Sequence, residues 1–397
     1  MRATRLSWLC ACGFLLPAMM VMSVGCGGPA APPKPPAVEQ EPAEEPEDEV
    51  LPEMEPAKES ETDTLPGAEP AQPPPMKEPM ASLPVIPLGL PELKIPEDNL
   101  MTPEKVELGR LLYFDKRVSS DGTVSCATCH DPLMAWTEHR ATSEGVKGPD
   151  GHPQVGDRNS PTVINSAYAS SQFWDGRAAT LEEQAVGPVG NSIEMGSSMD
   201  NVVLSFNEIK GYRERFQQVF GTDVTEDGFA KAIAAFERTI LSGNSPYDKY
   251  KAGDEDALTE AQKRGMAAFD NYCAVCHAPP LFSNYQFHNA GVGVDLPEPD
   301  KGRMDVTEEE RDRGRFRVPA LREIANTHPY FHNGSVETLE EAVAFMAKGG
   351  QDNPNRSVQM RALEGQVSEQ EVADLVEFLK ALSGEFPIIE PPTEFPQ

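Results

Sequence analysis

"SCATCHDP" occupies residues 125–132 and "YCAVCHAP" occupies residues 272–279, so one chain carries the pentapeptide Cys-x-x-Cys-His twice. Paired cysteines at this spacing serve a disulfide, a zinc site or covalent haem. A histidine directly after the second cysteine in both copies favours haem. Two thiols add across the porphyrin vinyl groups, and the adjoining imidazole ligates the iron from one face. Cys126, Cys129 and His130 supply this set once; Cys273, Cys276 and His277 supply it again. The chain has 7 cysteines, and the other three, Cys10, Cys12 and Cys26, lie near the N-terminus. No thiol is left over for another framework.

The chain's 397 residues exceed one ordinary domain. Residues 1–26 combine Arg2 and Arg5, an apolar run and small residues around Cys26, which is the pattern of an export signal. "SVGC" resembles a bacterial lipobox with Cys26 as the lipidated residue, although Ser23 stands where leucine is usual; ordinary cleavage is the alternative. Residues 27–87 are dominated by Pro, Glu and Ala and predict a disordered, solvated tether. The formal net charge of -30 owes much to that tether and argues against a nucleic-acid partner. An exported, periplasmic protein follows, with membrane attachment through Cys26 if the lipid is added.

The remainder predicts a mainly α fold built as two cytochrome c-like haem domains with long loops, over 88–250 and 251–397, the second ending in a short tail. Thr102-Pro103 starts a helix before the first box, with Val106, Leu108, Leu111 and Leu112 on its apolar face. Thr259 caps the helix before the second box, and Ser368 caps a terminal helix that Gly384 ends. Val372, Leu375, Val376, Leu379 and Leu382 should pack that helix across its partner. "TEDGFAKAIAAFERTIL" should close the first module in the same way.

Several further stretches carry a resemblance. "YFDKRVSSDGTVSCATCHDP", "RNSPTVINSAY", "FWDGRAATLEEQAVGPVGNSIEMG", "FERTILSGNSPYDKY" and "RGRFRVPALREIANTHPYFHNGSVETLEEAVAFM" occur in the order found in the bacterial di-haem cytochrome c peroxidases. The likeness extends over about residues 83–384. It implies a peroxidatic N-terminal haem and an electron-receiving C-terminal haem. Hydrogen peroxide is then the substrate, and a small cytochrome c or cupredoxin is the electron donor. A homodimer is known among relatives.

The resemblance also implies roles for single residues. Met346 in "AVAFM" matches the distal ligand of the second haem; a thioether there raises the reduction potential. His152 matches the residue that blocks the peroxidatic iron at rest, with His139 as a weaker competitor. Glu194 matches the distal acid-base residue, and Trp174 the aromatic residue between the haems. Asn159, with the backbone oxygens of Arg317 and Pro319, matches a calcium site whose neutral oxygens suit a hard cation. Two alternatives remain: a di-haem electron carrier with both irons saturated, and an oxidase of the related maturation type, in which tyrosine replaces Met346.

Overall fold

A computed structural model describes residues 84–397. The expected export signal, Cys26 and nearly all of the tether lie outside the described residues. Helix α1 (Pro103–Phe114) begins where Thr102 accepts a hydrogen bond from the Lys105 N–H and Pro103 fills the first turn, where its missing donor costs nothing. The first box forms a single turn, α2 (Cys126–Cys129). A hairpin of β1 (Glu144–Lys147) and β2 (Pro153–Val155) follows. Helices α3 (Leu181–Gly190), α4 (Met199–Glu208), α5 (Lys210–Phe220) and α6 (Glu226–Glu237) complete the N-terminal lobe.

Helix α7 (Pro246–Lys251) leads to α8 (Glu260–Tyr272), which runs directly into the second box. Two residues of β3 (Phe287–His288) pair antiparallel with β4 (Phe316–Arg317), and the short α9 (Met304–Thr307) lies between them in sequence. Helices α10 (Leu339–Ala347), α11 (Val358–Arg361) and α12 (Glu369–Lys380) finish the C-terminal lobe. Ser368 and Glu371 form a reciprocal capping box at the start of α12, as Thr259 and Gln262 do at α8.

Each lobe is organised by one helix crossing, α1 on α6 and α8 on α12. Glycine makes both crossings close. A Cβ on Gly109 would stand 1.9 Å from the Ala232 carbonyl oxygen, and one on Gly265 would stand 1.9 Å from that of Asp374. Phe236 and Phe378 lie beside these contacts and are fully buried. Each ring contributes about 1.5–3 kcal/mol by leaving water. The expected apolar face of α12 omitted Phe378, its most buried residue. Helix α12 also ends at Lys380, earlier than Gly384. Gly384 instead packs against the Gly243 carbonyl, where a Cβ would come within 1.9 Å, and donates its N–H to Glu323 at 2.6 Å.

Two contacts bind distant stretches together. Arg322 and Asp248 form a paired hydrogen-bonded ion pair at 2.8 Å, with both side chains 1% exposed. The stretch after α12, which the sequence left as a short tail, returns to the N-terminal lobe. Ile389 enters that lobe's core, and the Trp136 indole N–H donates to the Pro387 carbonyl at 2.9 Å. Arg117 and the Gly211 N–H hold the carbonyls of Pro396 and Gln397 at 3.0 and 2.8 Å.

Candidate functional site: a cavity shared by both boxes

A continuous cavity of about 1130 Å³ is lined by all six residues of the two boxes. The four cysteines are free thiols, so the disulfide reading fails. Among the described residues no three His, Cys, Asp or Glu side chains converge as a metal site, so the zinc reading fails as well. Burial pushes both imidazoles down to about 4, leaving them neutral and able to ligate. His277 Nδ1 lies 3.0 Å from the Phe282 carbonyl and donates to it, which leaves Nε2 with the lone pair. His130 Nδ1 is shielded and has no hydrogen-bond partner. Thiols, neutral imidazoles and a large cavity between apolar walls fit c-type haem in both lobes.

Helix α10 presents Leu339, Ala342, Val343 and Met346 to the cavity, the spacing of one helical face. Met346 is only part-buried, unlike a core methionine, and lines the same space as His277. Glu194 lines the cavity near the first box, and Asn191 donates to its Oε1 at 2.8 Å. Burial raises the carboxyl above the ordinary range, opposed by the Asn191 hydrogen bond and the Arg177 charge.

His152 is not assembled with these residues. It is exposed at the turn of the β1–β2 hairpin and does not line the cavity. The base of that hairpin is nevertheless tied to the candidate acid: the Val146 N–H donates to the Glu194 carbonyl at 2.8 Å. His139 turns elsewhere, stacking on His328 at 4.2 Å and bonding the Asn326 carbonyl at 3.0 Å.

Trp174 is clasped between the lobes. Its indole N–H donates to the Asn159 carbonyl at 2.8 Å, and its own carbonyl accepts from the Arg317 N–H at 2.8 Å. Asn159 Nδ2 donates to the Arg140 carbonyl at 2.8 Å, and Asn159, Arg317 and Pro319 all line the cavity. The sequence reading missed Arg158, which reaches Asp175 at 2.6 Å and Asp300 at 2.7 Å and so links the lobes. It also missed Asn191, whose only sequence signal is its position three residues before Glu194.

Residues 103–256 match the family model of di-haem cytochrome c peroxidase, and residues 262–383 match that of cytochrome c. Cytochrome c551 peroxidase of Nitrosomonas europaea is 41% identical over 294 residues, covering 72% of this chain and 83% of that protein. This chain belongs to the di-haem cytochrome c peroxidase family. Cytochrome c peroxidase Ccp of Escherichia coli K12 is 40% identical over 298 residues, covering 73% of this chain but only 60% of the relative's length. The crystal structure of a MauG-like protein associated with microbial copper homeostasis superposes with a TM-score of 0.65 at 34% identity, covering 76% of this chain and 95% of that one. Membership of the di-haem peroxidase family gives each box a c-type haem and makes the two lobes cytochrome c-like domains.

Proposed function

We propose that this protein is a cytochrome c peroxidase, reducing hydrogen peroxide to water with single electrons from a small cytochrome c or cupredoxin. The observation that carries the reading is the shared cavity, lined by Met346 from helix α10, which packs in the cluster of the second box, and by Glu194, whose charge reaches Cys129 of the first. When bound, the haems supply the iron for peroxide and the store of electrons. Met346 and His277 would hold the electron-receiving haem, and His130 the peroxidatic one. Glu194 takes the proton from the near peroxide oxygen and returns it to the departing oxygen. Trp174 bridges the two lobes, filling the space between them and offering an aromatic route for electrons. A calcium ion held by Asn159 Oδ1 and the carbonyls of Arg317 and Pro319 would lock that same junction.

The deciding experiment mixes the mature protein, with two covalent haems verified by mass, with reduced small cytochrome c and peroxide. Peroxide-dependent oxidation of the donor is expected. Its absence, with both irons six-coordinate in every redox state, would favour the electron carrier. The maturation-type oxidase is the second reading, kept because of the MauG-like structural relative; Met346 in place of tyrosine weighs against it.

Met346→His is expected to lower the potential of one haem and slow electron entry while leaving both haems attached, since imidazole favours ferrous iron less than a thioether does. An unchanged redox titration would return Met346 to packing. His152 acts in this proposal as the resting-state block, carried inward with the hairpin whose base Glu194 holds. His152→Gly is expected to give an open, high-spin ferric iron without prior reduction. Two low-spin haems in that variant's ferric spectrum would remove His152 from the scheme. Export to the periplasm, a lipid on Cys26 and dimerisation belong to the same proposal. No helix among the described residues is long and apolar enough to cross a membrane.

A further inference from the structure

Among the buried acids that the mechanism does not use, Glu237 has a carboxyl oxygen left without a partner. Glu237, at the end of α6, is 5% exposed, and its Oε2 is shielded with no hydrogen-bond partner. Glu237 and Ile233, one turn earlier, line the cavity together with Cys126 and His130. A carboxylate placed there loses its hydration and gains no donor in exchange, so the charged form is disfavoured.

Each element packed on α6 adds little to offset this. Helix α3 brings Glu182, already paired at 2.8 Å with Arg238, the residue after Glu237. Arg238 favours the carboxylate and Glu182 opposes it, and burial outweighs both, pushing the group up to about 8. Helix α1 brings Tyr113, whose unpartnered hydroxyl is kept neutral by the same burial. Helix α4 turns Val202 and Phe206 inward and no charge, and α2 brings Cys126, whose thiol is consumed when haem is attached.

We propose that Glu237 takes up a proton when the N-terminal haem gains an electron and releases it when the electron leaves. The inference rests on the presence of that haem, as assigned above. One electron from the donor lowers the positive charge at the iron by one unit, and one solvent proton forms an O–H bond on the carboxylate, so the pocket's net charge is unchanged. In a low-dielectric site the arriving negative charge and a bare carboxylate repel, which raises the carboxyl's affinity for its proton. This proton is distinct from those that Glu194 moves on peroxide.

The test is a spectroelectrochemical titration of the holoprotein and of Glu237→Gln across a pH range bracketing 8. The reduced form binds the proton more tightly, so the parent's N-terminal haem potential should fall as pH rises. The limiting slope is a tenfold change in the ferrous-to-ferric ratio per pH unit, about 59 mV for one electron. The Gln variant should lose that slope, with the C-terminal haem unaffected. A pH-independent parent, or a variant that keeps the parent's slope, would overturn the proposal. If the Gln variant fails to accumulate, Glu237→Asp should move the inflection, and an unmoved inflection overturns it equally. A parent without covalent haem would sink this proposal and the peroxidase reading together, whereas two haems with an unchanged slope would sink this one alone.

Discussion

Glu194→Gln is expected to lower peroxide turnover by about 10²- to 10⁴-fold, the usual contribution of a positioned acid-base group. Gln preserves the size of the side chain and can still meet Asn191, but it cannot accept and return a proton. Electron transfer from donor to protein should be nearly unchanged, so stopped-flow traces would show normal donor oxidation up to the peroxide step. Burial holds the Glu194 carboxyl above the ordinary carboxylate range. The base form is therefore gained only as pH climbs through that raised value, and the parent's rate should rise with pH there. The variant should lack this limb. Parental turnover in the Gln variant would remove Glu194 from the proton chemistry.

Asp248→Ala should destabilise the protein by about 3–5 kcal/mol, because it strands the Arg322 guanidinium in a site with 1% exposure. The Arg322 pair holds Asp248 below the ordinary carboxylate range despite its burial. That stabilisation is present above the unfolded-state pKa of aspartate and is lost as pH falls through the depressed folded value. Denaturant unfolding of the holoprotein measures the loss. The double variant with Arg322→Ala should recover part of it, since no charge is then left without a partner. Equal stability of parent and Asp248→Ala would show that solvent reaches the pair.

Local chemistry was legible in the sequence. The two boxes, the caps at Thr102, Thr259 and Ser368, and the apolar faces of α1 and α12 depend on residues a few positions apart. Met346 was reached through the family resemblance of "AVAFM", because helical periodicity alone reads it as a core methionine. Glu237 was not, because its isolation comes from α1, α3 and α4 closing around it, and sequence alone makes it one acid among 64. Gly109 and Gly265 went unread for a similar reason: each matters only through a backbone more than a hundred residues away. His152 shows the opposite case, where a motif names a residue that the folded chain leaves at the surface.

The return of residues 386–397 to the first lobe bears on how the protein is made. Trp136 cannot complete its hydrogen bond, nor can Ile389 fill its place, until the entire second lobe has been synthesised. Until then the core of the first lobe lacks both contacts. The residues after α12 therefore act as a seal on the core of the first lobe, so the stability of that lobe depends on chain that lies beyond the second.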